Sequence, residues 1–266
     1  MNLLRIIGRP LLRLIDYLGE LGLLVGEVFI SIVCGQRRYR QLMEQIAEVG
    51  ARSQVVVIVT GAFTGAVLAA QAYFQFKIFG LETATGALVS IAMLRELGPS
   101  ITGLMLAGRV GSAMAAEIGT MKVTEQVDAL RSMAVHPIDF LVTPRFLAML
   151  IAAPLLIAEA AAAGIIASYV VSIFVFNVES AYWVENMGSY VALPDLLIAG
   201  IKVVSFGMLI VIISCHQGLR ASNGAVGVGR GTTDAMVFSS LAILIANFFL
   251  TLLIQWFFPA ELIPTG

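Results

Sequence analysis

Five stretches of this chain run for about twenty residues or longer with almost no charge, and a helix of about that length spans a bilayer's hydrocarbon core. Ser53 to Phe76 has none. Thr83 to Gly108 has only the neighbours Arg95 and Glu96, Phe146 to Phe176 only Glu159, and Leu196 to Ser214 only Lys202. Ala235 to Phe258 has none. The runs do not alternate polar and apolar residues in short pieces, so they are not barrel strands. The expected fold class is all-α integral membrane: an N-terminal interfacial helix, then five transmembrane helices. Composition agrees, since 12% of the 266 residues are charged, about half the share in soluble domains.

Lysine and arginine placement sets the orientation. Arg5, Arg9, Arg13, Arg37, Arg38, Arg40 and Arg52 precede the first run. Arg109, Lys122, Arg131 and Arg145 lie between the second and third, and Arg220 and Arg230 between the fourth and fifth. The other side has only Lys77. The N-terminus is therefore expected in the cytoplasm and the C-terminus outside. Residues 1–50 read as an amphipathic segment, because Arg5, Arg9, Arg13, Asp16, Glu20 and Glu27 form one polar stripe on a Leu/Ile-rich helix. Such a helix lies in the interface plane or packs against the spans. Residues 51–260 form the membrane domain.

Several function classes lose support. A net charge of −1 gives no basic field for nucleic acid. Two cysteines and two histidines, scattered along the chain, make no metal or disulfide pattern. Cys215-His216 is the only nucleophile–base neighbour pair, and adjacent helical residues point apart. The glycine-rich run GAVGVGRG at 224–231 has no preceding strand and no following GK[ST], so it reads as a flexible loop rather than a phosphate cradle. No nucleotide-hydrolysis motif appears anywhere. Small residues recur every four positions, at Gly61, Gly65 and Ala69 and again at Gly103, Ala107, Gly111 and Ala115, as in closely packed membrane helices.

Intramembrane charges are costly, about 2.5–3.5 kcal/mol each on insertion scales, and each needs a reason. Arg95 and Lys202 are candidates to hold a lipid head group, with Glu96 pairing one of them. The alternative is an interhelical salt bridge that only fixes packing. Gly98-Pro99 is expected to bend or open the helix just after them. Gln71 and Tyr73 close the first run and suit an aromatic belt. Glu159 and Asn247 are left without an assigned role.

The loop RVGSAMAAEIGTMKVTEQVDALRSMAVHPIDFLVTPR at 109–145 carries the most information. Its charges alternate and its apolar residues recur, so one amphipathic helix is expected over about 115–134, ended by His136-Pro137. It is either a solvated surface helix or a docking helix. LRELGP at 94–99 followed by this loop closely resembles the MlaE/YrbE permease family, and the resemblance spans about Gly50 to Phe258. It implies the membrane subunit of an ABC-type phospholipid transporter in the bacterial inner membrane. It also implies a homodimer, a separate cytoplasmic ATPase carrying the ATP and magnesium, a periplasmic MCE-domain hexamer and, in many members, a STAS-domain protein. No cofactor is implied in this chain. By resemblance, Arg95, Glu96, Lys202, Tyr73, Gln71 and Leu68 border the lipid, and Glu117, Thr124, Glu125, Asp128 and Arg131 couple to the ATPase. Asn177 to Pro194 is expected as a short outer helix near the ring. Asn247 stands where many relatives carry an acid. The rival reading is an ion-coupled secondary transporter using Arg95, Glu96, Glu159 and Lys202 as a relay. A scaffold for other subunits is a third.

Overall fold

The computed structural model describes residues 2–35 and 39–257, so Arg37, Arg38 and the tail from Phe258 lie outside it. Helices dominate, and no strand occurs among the described residues. The N-terminal helices are α1 (Asn2–Cys34), α2 (Tyr39–Val49) and α3 (Gln54–Lys77). Then come α4 (Thr85–Ala92), α5 (Gly98–Leu106), α6 (Ser112–Val123) and α7 (Gln126–Ser132). The C-terminal half holds α8 (Thr143–Val170), α9 (Ser180–Tyr190), α10 (Leu193–Leu219) and α11 (Gly224–Phe257).

Close backbone approach organises the bundle. A Cβ on Gly61 would overlap the Ala160 carbonyl, and one on Gly65 would overlap that of Gly164. Those pairs advance together, so α3 and α8 run parallel, and the chain must cross back between them. It does so through α4, α5 and α6, which are joined end to end by wide π-turns at Met93–Leu97 and Ala107–Gly111. Gly103 meets Phe206 and Gly111 meets Ser214, so this run descends beside α10. It also faces α11 in reverse order, Gly103 against Ile243 and Gly119 against Val228. The five expected runs are therefore helical passes of alternating direction through the bundle. The second is a chain of short helices rather than one long one.

Five helical stretches are each long and apolar enough to span a membrane, Ile15–Cys34, Tyr39–Lys77, Ile138–Val175, Pro194–Leu219 and Gly224–Trp256. The first of these lies in α1, where an interfacial helix was expected. Yet α1 does not run from one end of the bundle to the other. Glu20 meets His216 and Arg220, and Tyr17 meets Gln217, all at the end of α10. Ser31 meets Thr143 at 2.7 Å and Phe29 approaches Phe146, both at the start of α8. Tyr17 to Ser31 is about 21 Å of helix, and these contacts all lie at the arginine-rich end. α2 packs along α8, with Val49 fully buried.

Two expectations fail locally. GAVGVGRG is no loop: it forms the first turns of α11, where Gly227 tucks over the Ser222 carbonyl so closely that a larger residue would be blocked. The loop helix expected over 115–134 is broken. α6 ends at Val123, Glu125 takes a left-handed φ of 61°, and α7 starts afresh at Gln126. A non-glycine residue in that conformation costs about 1–2 kcal/mol and leaves no compositional trace. The outer helix appears as α9, with Trp183 packed over Gly86.

The core joins Met114, Ile118, Met149, Phe206, Ile210 and Ile243. Phe63, Phe74, Phe174, Phe248 and Trp256 instead face outward. So much exposed apolar surface is foreign to a soluble monomer and normal in lipid, where packing rather than water exclusion holds helices together.

Candidate functional site

The intramembrane charges gather around the first π-turn. In an α-helical turn the Arg95 carbonyl would accept from the N–H of residue 99, but proline has none. Lys202 on α10 takes that carbonyl instead, with Nζ donating to Arg95 O at 3.0 Å. The same ammonium donates to Glu96 Oε1 at 2.6 Å and to Thr251 Oγ1 of α11 at 2.9 Å. An ammonium has three protons, and all three are used. Lys202 is fully buried. Asn247 completes the shell, donating from Nδ2 to Glu96 Oε2 at 3.2 Å. The expected pairing of Glu96 with a nearby cation is thus realised with Lys202, and Asn247 acquires a role as hydrogen-bond donor to that acid.

Arg95 points elsewhere, as neighbours on a helix must. Its Nε donates to Asp195 Oδ1. Asp195, fully buried, also accepts the Ala192 N–H at 2.9 Å and so caps the first turn of α10, where a carboxylate suits the helix dipole. The two amino groups of Arg95 have no other partner among the described residues, and its side chain is 29% exposed. Sequence reasoning missed Asp195 and Thr251. The pattern Ala192-Leu-Pro-Asp195, a proline at the first helical turn followed by a capping acid, was the available signal for Asp195.

The other three predicted lipid-site residues separate. Leu68 and Gln71 line an open groove of about 390 Å³ with Phe63, Thr64, Val67 and Leu97. Leu97 closes the π-turn that carries Arg95. Tyr73 lies on the opposite face of α3, its ring stacked on Phe176 at 4.2 Å, and is not in that groove. Glu159 accepts from Gln54 Nε2 at 3.3 Å, a tie between α8 and α3.

At the arginine-rich end, Val127 and Leu130 are buried and anchor α7 to the bundle. Its polar face stays out. Asp128 takes Lys122 at 3.1 Å and Arg131 at 3.2 Å. Thr124 donates back to Thr120 O at 2.8 Å and accepts from Gln126 Nε2 at 3.1 Å, closing the break. Glu125 is exposed, and its carboxylate has no hydrogen-bond or ion-pair partner among the described residues. Glu117, half-exposed, turns to Arg145 instead, at 2.7 Å. A groove of about 590 Å³ separates α7 from α1, lined by Glu27, Lys122, Arg131 and His136 among others.

A sequence model of the permease MlaE family matches residues 42–253. A probable ABC transporter permease protein of Rickettsia typhi is 39% identical over 251 residues, covering 94% of this chain and 97% of that protein. A probable ABC transporter permease protein of Synechocystis is 40% identical over 228 residues, 86% of this chain and 87% of that one. The intermembrane phospholipid transport system permease protein MlaE of Haemophilus influenzae is 34% identical over 251 residues, 94% and 96% respectively. With its alternating apolar helices and this extent of similarity, the chain is a multi-pass membrane protein that belongs to the MlaE permease family.

Proposed function

We propose that the chain is the membrane subunit of an ABC-type transporter that moves phospholipid between the inner and outer membranes of a bacterium. It sits in the inner membrane, N-terminus inside, with α1 in the cytoplasmic interface. Two copies enclose the lipid between them. A separate ATPase binds at α7 and supplies the energy, an MCE-domain hexamer receives or delivers lipid outside, and a STAS-domain protein attends the ATPase.

One observation carries the reading. An open, mainly apolar groove on α3 reaches Leu97 of the first π-turn, and on another face of the same turn Arg95, paired through Nε with Asp195, keeps amino groups without a partner among the described residues. Tails want the first and a phosphate wants the second. Lys202 is committed to protein oxygens, so in this reading it holds the π-turn in shape while Arg95 meets the head group. The same saturation counts against an ion relay through Lys202. ATP-driven closure of the ATPase pair then tilts the spans and exposes the groove alternately to the two sides.

The test is transfer of a fluorescent phospholipid from liposomes holding the permease with its ATPase. Transfer is expected only with ATP, and Arg95→Ala is expected to slow it at least tenfold. Transfer driven by a proton gradient without ATP or ATPase would establish the secondary-transporter rival instead.

A further inference from the structure

We propose that Glu117 and Arg145 form a strut that carries movement of the docking loop into α8, and that Arg145 is thereby a positioning residue for transport. This rests on the functional reading above. Arg145 lies in the first turn of α8, its side chain 9% exposed. Its guanidinium fork holds two segments at once: Nη2 donates to Glu117 Oε2 at 2.7 Å, and Nη1 donates to Leu141 O at 2.6 Å. A planar guanidinium fixes the direction of both bonds, which a lysine ammonium would not.

The packing shows why such a bond matters. α6 packs on α10 and α11 and scarcely touches α8. Against α10 it makes close contact without a side-chain hydrogen bond, Gly218 meeting Ile118 and the Ala115 carbonyl. Glu117 therefore provides the polar bridge from the loop to α8. α8 in turn meets α3 backbone to backbone at Gly61 and Gly65, where nothing compressible intervenes. α3 carries the groove of Phe63, Val67, Leu68 and Gln71. In this reading α7 moves α6, Glu117 pulls Arg145, α8 moves, and the groove moves with α3. Glu117 acts through its half-exposed tie to Arg145 rather than as a contact for the ATPase.

The experiment uses the full complex with its ATPase in liposomes and reads lipid transferred per ATP hydrolysed. Glu117→Gln removes the charge from a half-exposed position and spares the packing. It is expected to lower that ratio at least tenfold while the complex still purifies with its ATPase. Glu117→Asp is expected to recover part of the ratio, and the exchange Glu117→Arg with Arg145→Glu, which restores the ion pair but loses the bond to Leu141 O, is likewise expected to recover part of it. The melting temperature of Glu117→Gln is expected to stay near the parent's; a fall large enough to account for the lost transfer would make the pair structural and overturn the strut. A wild-type ratio in Glu117→Gln would overturn the strut, as would loss of the ATPase from the purified complex, which would make Glu117 a docking contact. Absence of ATP-dependent transfer by the unaltered complex would instead remove the functional reading on which the strut stands.

Discussion

At Lys202 every proton of a buried ammonium meets an oxygen of the protein. At Glu125 an exposed carboxylate on a left-handed residue meets no donor among the described residues. The two sites follow from where each charge sits. In an apolar interior an unpaired charge is expensive, so the fold must close the shell around it. At a wet surface a paired charge contributes little, so a charge can be left free for something else. The intramembrane cluster therefore reads as scaffold with one open hand, Arg95, and the loop as a surface prepared for a partner.

The largest effect should come from opening the closed shell. Lys202→Met leaves the Arg95 carbonyl and the partly exposed Glu96 carboxylate without their cation, and is expected to cost about 3 kcal/mol, the low end for a buried pair, read as a lower melting temperature in detergent. Adding Glu96→Gln should recover more than half. If Lys202→Met melts like the parent, the cluster is not scaffold. Asn247→Leu removes one donor from a charged acceptor and should cost about 1.5–3 kcal/mol in the same melt. Arg131→Ala breaks an exposed pair with Asp128 and should cost no more than about 1 kcal/mol. Glu125→Lys should change stability least, by under about 0.5 kcal/mol, yet abolish ATPase stimulation and lipid transfer. A Glu125→Lys permease with full activity would erase the contrast between the two regions.

Much of this was legible in the sequence for a physical reason: the demand for apolar length is so strong that the crossings announce themselves. The small-residue ridge at Gly61 and Gly65 was equally plain, and it meets α8 as such ridges do. The failures are instructive in the same terms. The pairing of Arg95 with Asp195 spans a hundred residues and depends on a π-turn that only Gly98-Pro99 hinted at. Glu125 breaks the loop helix through a backbone conformation that glutamate seldom adopts, so no propensity rule finds it. GAVGVGRG looked like a loop because glycine disfavours helix, and here it is the start of a long helix packed on α10 and α6. Arg145 was visible only as one of the positive charges on one side. Its hold on Glu117 needed the bundle to bring α6 and α8 into reach.

The proposed docking face can be probed directly at residue 125. A Glu125→Cys permease in which the exposed Cys34 is replaced by serine would be labelled with a membrane-impermeant maleimide in inside-out vesicles, with and without its ATPase. Cys215 is buried and stays silent. The ATPase is expected to protect residue 125 at least tenfold. Equal labelling in both preparations would show the loop standing in water with nothing against it, and would contradict the account.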